Sequence, residues 1–429
     1  MPMRRSQPFV VNRRQAIRGI AVGCSLPMIG GRAFAEEGDA NPPVRAITRG
    51  PLQHWFGYYD KLEFDPTNRY VLSNEVAFEH RTPTADDTVR VGMVDTQDND
   101  KWIRLGSSSA WGWQQGCMLQ WRPGSSSEVV WNDRQGDSHV CRVLNVETKQ
   151  LRTLPRPIYS LSGNGKWGIT TDFSRVQRMR PGYGYVGLQD PASDKHAPED
   201  SGVWKMNMDT GETELIFSLA DAAKLPHQGE SLAGKWNYFN HLLVSPDSSR
   251  FVVLHRWREA GENGPVGGFK TRMFTVAMDG SQRYVLDPSG ETSHFIWRDP
   301  EHICAWTRPD GKPSGFYLFK DQSDQVETVG EGVMTQNGHN TYLPGTEGEW
   351  ILNDTYPDSK TRLQTVYLYH VPTRRKVVIG RFHSPREYSG EWRCDTHPRS
   401  SNDGKSVVID SPHHDGRQLH MIDISKVVG

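Results

Sequence analysis

The chain has 429 residues, with 50 Lys and Arg against 51 Asp and Glu and a formal net charge of −1. A sequence pI of about 7.0 and the lack of any Lys/Arg block beyond the N-terminus argue against a nucleic-acid partner, which calls for a basic patch or stripe. A mean hydropathy of −0.66, 41 Gly and 27 Pro fit a soluble, turn-rich globular chain of one large domain or two to three ordinary ones, not a membrane or disordered one.

The first element is a leader. "NRRQAIRGIAVGCSLPMIGGRAFAEE" sets Arg13 and Arg14 before a short, Gly-rich apolar run and the A-x-A of Ala33-Phe34-Ala35. This is the layout of a twin-arginine export signal over residues 1–35, so the mature chain is expected to begin near Glu36 and to be periplasmic or secreted. The run is too short to span a bilayer. Removing the leader removes Cys24 and leaves Cys117, Cys141, Cys304 and Cys394, too few for a disulfide scaffold, though one bridge is possible. The core must then be held mainly by apolar burial.

After the leader one theme recurs in chain order: an apolar residue, a turn built from Pro, Asp, Asn or Gly, then a β-branched or aromatic run. It appears as "FDPTNRYVLSNE", "LQWRPGSSSEVVWND", "LSGNGKWGITTDFS", "VSPDSSRFVVLHRW", "IWRDPEHICAWTRP", "YLPGTEGEWILNDTYP" and "RSSNDGKSVVID". Each is followed by a second alternating strand ending in a polar turn, from "VGMVDTQDND" to "LHMIDIS". Two hairpins per unit, repeated seven times, predict an all-β chain: a single seven-bladed β-propeller of four-stranded antiparallel blades within residues 36–429. "IFSLADAAKL" is the one short helix expected, and the long spacing between the third and fourth units marks residues 176–235 as a functional loop.

Residues at equivalent places in different blades converge on one mouth of a propeller. His241 in "YFNHLLVSPD", His294 in "SHFIWRDP", His339 in "NGHNTYLPG" and His397 in "EWRCDTHPR" occupy such places. Cys394 lies three residues before His397. Thiolate with imidazole favours zinc over calcium or magnesium, and the set His241, His294, Cys394 and His397 would close a structural Zn2+ site. In the first three units His80, His54, His139, Tyr159 and Arg175 stand out. A lone aromatic such as Tyr159 is usually core, and His54 beside "WFGYYD" reads as packing. Arg175, placed after "TDFS" on an inward strand, would be costly to bury unless it met an anion. "SPHHDGRQ" reads as a solvated hairpin turn.

"HWFGYYDK", "WGWQQGCMLQW", "RPIYSLSGNGKW", "YFNHLLVSPD", "SHFIWRDPEH", "ILNDTYPD" and "EWRCDTHPR" together resemble the β-propeller polysaccharide lyases, especially ulvan lyases and more distantly oligogalacturonate lyases. The resemblance implies an enzyme that cleaves a uronate-containing acidic polysaccharide by β-elimination. It implies His80 and Tyr159 as acid and base, with His139 or His54 as a second histidine. It also implies Arg175 as the group that neutralises the uronate carboxylate, and zinc on His241, His294, Cys394 and His397. Cys394 and Asp395 near His397, where oligogalacturonate lyases carry histidines with glutamine, argue against a pectic substrate. The expected partner is an acidic polysaccharide or oligosaccharide bound by a monomer. A non-catalytic TolB-like propeller that binds glycans or envelope partners is the alternative, because the turn motifs belong to both and fold does not decide function. A hydrolase would need a carboxylate pair, and no convincing one is present.

Overall fold

The computed structural model describes residues 37–262 and 264–429; the leader lies outside the described residues. Seven antiparallel sheets follow one another along the chain, each paired in sequence order. Their first strands are Gln53–Trp55, Gln120–Trp121, Ser160–Leu161, Trp236–Val244, Phe295–Asp299, Thr341–Tyr342 and Arg399–Ser400. Each of the seven turn motifs joins a first strand to a second, as the sequence predicts. The seven-bladed propeller is thus the observed architecture.

The turn chemistry explains why. Asp65 in "DPTN" accepts hydrogen bonds from the backbone N–H groups of Thr67, Arg69 and Tyr70, which closes the turn without help from another blade. Asp247 and Asp403 make the same local bonds in their own turns. Gly165 sits at φ +66°, and a Cβ there would meet the Pro123 carbonyl of the preceding blade, so this turn accepts no other residue without displacement.

The last blade has only three strands from the C-terminal segment. Its fourth is Val44–Ala46, which pairs with Gln418–Asp423 and so closes the ring. A further short strand, Glu37–Asp39, adds in parallel to Arg375–His383 on the sixth blade. Neither was foreseen from sequence, because three-residue strands carry almost no pattern; closure matters because it removes exposed sheet edges.

Apolar side chains fill the wedges between blades. Trp55, Trp111, Trp113 and Trp131 are nearly fully buried in one cluster with Val71, Val91 and, from the last blade, Val408 and Leu419. Each such side chain contributes about 2–3 kcal/mol through burial, and no disulfide assists: all four described cysteines are free and buried.

Two departures from regularity shape the mouth. In the third blade the chain leaves strand Trp167–Thr170, forms the helix Phe173–Met179 and returns only at Gly202. Asp172 caps that helix through Ser174 N and Arg175 N. In the fourth blade, strands Arg250–Gly261 and Gly264–Ala277 are 12 and 14 residues long. The helix expected in "IFSLADAAKL" is found at Leu219–Lys224.

Candidate functional site

The "HWFGYYDK" segment leaves the first strand of blade one and enters the middle of the ring. Gly57 permits this: its φ is +120°, and a Cβ would lie 2.8 Å from the Gln115 backbone. The carboxylate of Asp410 accepts from Phe56 N and Gly57 N at 3.1 and 3.2 Å. Arg399 bridges Asp410 and Glu63 and donates to the His397 carbonyl, so this buried network holds both the segment and the histidine strand.

Tyr59 stands at the centre. Its ring lies 5.7, 5.8, 5.2 and 6.5 Å, centre to centre, from those of His241, His294, His339 and His397. The four blade-equivalent histidines therefore do converge. His241 and His397 both sit at positive φ, at +50° and +38°. The ladder of strand Trp236–Val244 shifts register between Asn240 and Leu242, so His241 is a bulged residue turned out of the sheet toward the axis.

The metal-capable group differs from the one expected. His339, Asp395 and His397 are buried and present ligand atoms all within 4.8 Å of one another. His294 joins them, its ring 4.2 Å from that of His339, which is itself 4.2 Å from His397. The Nδ1 of His339 binds the Asp354 carboxylate at 2.9 Å and that of His294 binds Asn337 Oδ1 at 3.0 Å. Both tautomers are thereby set with the lone pair on Nε2, which in His294 faces the Tyr356 hydroxyl, the arrangement that orients metal-binding histidines. Asp395 Oδ1 is buried without a partner, while Oδ2 accepts from Arg393 Nε at 2.8 Å. An orphaned buried carboxylate oxygen beside two lone-pair imidazoles fits a divalent cation.

Cys394 does not belong to this group. The converging ligand atoms come from Asp395 and His397 of this stretch and not from Cys394. Its thiol is pushed up by burial, and the charged groups around it are Arg417, Asp410, Glu79 and Asp395. His241 is also drawn elsewhere. Its Nε2 donates to Asp60 at 3.1 Å, and its Nδ1 faces the Tyr58 hydroxyl at 3.3 Å. Lys61 pairs with Asp60 at 2.6 Å, both nearly inaccessible to solvent. Burial raises the pKa of Asp60, but Lys61 and His241 outweigh it and bring it to about 2. Burial lowers His241 to about 4, against the pull of Asp60. The result is a chain Tyr58, His241, Asp60, Lys61 along the axis.

The expected acid, base and arginine are not assembled. His80 is exposed and packs against Tyr388, 4.7 Å between ring centres. Tyr159 is fully buried, and its hydroxyl bonds Gln115, Asn240 and the backbone N–H of His241. Burial and the Asp60 charge push its pKa up, so Tyr159 holds the His241 bulge in place and is not poised as a base. Arg175 is a correction to the sequence reading. It lies on the helix Phe173–Met179, not on an inward strand, and its head group is 2% exposed. Nε donates to the Asn237 carbonyl, Nη1 to Asp190 and Ala192, and Nη2 to Lys195 and His196. No donor is left for a substrate. Arg175→Ala is expected to cost about 3–5 kcal/mol of stability, measured by urea unfolding, because four carbonyls lose a donor and buried Asp190 keeps only the longer Arg178 pair and the Ala192 N–H.

His139 lies in a separate cavity of about 560 Å³ between the second and third blades, with Arg156, Trp204 and Ser174. Asp137, Asp172 and Asp200 also line it, but none of the axial histidines does. His54 bonds Gln418 and Glu75 in the interior, consistent with packing.

Sequence reasoning missed the groups that crowd the mouth. Arg180 ends the helix and lies 3.7 Å over the Tyr183 ring, with no hydrogen-bonding partner for its head group among the described residues. Arg256 is 4% exposed; its Nε donates to Thr271, its Nη1 is buried without a partner, and it has no carboxylate partner among the described residues. Burial lowers Arg256 to about 10, with Arg180 adding to the effect. Arg393 Nη2 donates to the Tyr183 hydroxyl at 2.6 Å. Burial raises Tyr183, yet Arg180 and Arg393 prevail and leave its pKa below the ordinary value. Tyr356 reaches His294 Nε2 at 3.5 Å.

A seven-bladed propeller with a polar axial mouth is the class of protein that fold and site define. No protein-family model matches the chain, and no curated protein does. Among solved structures it is similar to an oligogalacturonate lyase from Vibrio parahaemolyticus, at 13% identity and a TM-score of 0.62 over 92% of this chain and 96% of that one. An oligogalacturonate lyase solved in complex with manganese gives 13% identity and a TM-score of 0.62 over 90% and 94%. At such identity the likeness establishes the propeller fold.

Proposed function

We propose that this protein is a lyase that cleaves uronate-containing glycans by β-elimination at the axial mouth. The observation that carries this reading is a buried oxygen of Asp395 without a partner, in a mouth to which Arg180 and Arg256 bring guanidinium groups that have no carboxylate partner among the described residues. Such a site is short of one anion and one cation. A sugar acid bound through a divalent ion supplies both. The fold likeness to oligogalacturonate lyases, one of them solved with manganese, supports the same reaction class.

His294, His339, Asp395 and His397 would hold the cation, a mixed nitrogen and oxygen shell open to zinc or manganese alike. When bound, it would act as a Lewis acid on the uronate carboxylate, whose charge otherwise keeps the C5 proton from leaving. Arg180 and Arg256 neutralise the same carboxylate and stabilise the charge that develops on it. Tyr183, held low by two guanidinium groups, takes the C5 proton. Tyr58, kept protonated by burial, donates its proton to the departing O4, and His241, held by Asp60, orients the hydroxyl. Arg393 ties Asp395 to Tyr183 and so fixes the base relative to the metal position.

An ulvan-type polymer is the finer substrate assignment, acted on by a monomer outside the cytoplasm after twin-arginine export. Purified protein supplied with manganese or zinc should release products with the ultraviolet absorbance of an unsaturated uronate from ulvan, glucuronan, pectate or a glycosaminoglycan. Absence of such product from every member of the panel contradicts the reading.

A further inference from the structure

The "SPHHDGRQ" hairpin of the last blade is not the solvated turn that its composition suggests. It joins Ser406–Ser411 to Gln418–Asp423 and gathers three imidazoles. The His413 ring lies 4.4 Å from His414 and 4.2 Å from His420, centre to centre. His420 is 2% exposed, its Nδ1 donates to the Gln418 carbonyl at 3.2 Å, and its Nε2 is buried with no partner. His413 is half-buried against Phe382, with Nδ1 on the Ser411 hydroxyl at 2.8 Å. Two imidazoles thus have Nδ1 engaged by an oxygen and Nε2 left over, as in the axial group.

We propose that His413, His414 and His420 form a second metal site, one for a divalent transition ion of the zinc, nickel or copper class. The donor set is imidazole alone, which suits those ions and not magnesium, calcium or manganese. An unpartnered buried nitrogen carries a desolvation cost, which a metal bond removes. The three nitrogens are not all at bonding separation: among the described residues only the axial group has its ligand atoms within 4.8 Å of one another. His414 is exposed and completes the set by rotating its side chain over the turn.

The position gives the site a structural role. His420 pairs with Ala46 of the ring-closing strand on one side and Ile409 on the other. A metal here ties the hairpin tip to the blade at the point where the ring closes.

Calorimetric titration of the full mature protein with Zn2+ tests the proposal. Wild type should take two equivalents and Asp395→Asn one, while His414→Ala, an exposed change that spares the fold, should lose at least about tenfold in affinity for that remaining equivalent. His420→Gln should abolish it, and Mn2+ should fill only the axial site. A second equivalent unchanged in His414→Ala and His420→Gln, or no zinc bound at all by Asp395→Asn, overturns the proposal. If the axial reading alone is wrong, wild type binds one equivalent that Asp395→Asn keeps and His414→Ala weakens.

Discussion

Asp395→Asn should weaken divalent-metal binding at the axis by about a hundredfold or more and lower kcat/KM by a similar or larger factor, with the fold retained. Asparagine keeps the volume and still offers an oxygen to Arg393, so the guanidinium is not stranded. What disappears is the negative charge that balances a dication among imidazoles. The histidines cannot compensate: burial, followed by the neighbouring His339, holds His294 and His397 well below the usual imidazole pKa, so they contribute lone pairs but no charge. Cys394→Ala is the matched control. It alters the adjacent residue, whose side chain faces Arg417 and Glu79, and should leave metal affinity and turnover unchanged at the cost of a small cavity. Metal content by elemental analysis and turnover on the same preparations separate the two.

Tyr183→Phe should reduce kcat by about 10²–10⁴ while leaving metal content and KM close to wild type. The hydroxyl is the only group removed, and its partner Arg393 keeps its bond to Asp395. Among the tyrosines around the mouth the environments diverge sharply. Burial pushes Tyr58, Tyr59, Tyr159 and Tyr356 upward, whereas Arg180 and Arg393 overcome burial at Tyr183. A free tyrosine ionises at about pH 10, and Tyr183 is the one of these five whose cationic neighbours outweigh burial, which suits it to accept a carbon-bound proton. Tyr159→Phe should behave differently. Its hydroxyl holds the backbone of His241 and Asn240, so its loss should lower stability and disturb both kinetic constants together.

The propeller was legible because its signal is local and repeated. An aspartate that closes its own turn, as Asp65 does, needs no distant partner, so seven copies announce seven hairpins. The closing strand Val44–Ala46 is three residues long and takes its identity wholly from its neighbour. Convergence of His241, His294, His339 and His397 was also readable, because rotational symmetry turns equivalent sequence positions into spatial neighbours.

Errors arose where one residue of offset decides which side chain meets the site. Reading "CDTH" by metal-ligand spacing selected Cys394, but it is the neighbouring Asp395 whose ligand atom meets those of His339 and His397. Reading "TDFSR" as a strand put Arg175 in the mouth. The helix Phe173–Met179, capped by Asp172, instead turns Arg175 into the core and delivers Arg180 and Tyr183 to the axis. The capping pattern, an aspartate before a serine and a run of helix-compatible residues, was present in the sequence and could have exposed this.

Anomalous diffraction from crystals soaked with Mn2+ and an unsaturated uronate oligosaccharide bears most directly on the axial site. A manganese peak among His339, Asp395 and His397, with the sugar carboxylate against Arg180 or Arg256, is the predicted result. A peak seated on Cys394, or a mouth that takes up neither ion nor sugar acid, would contradict the account.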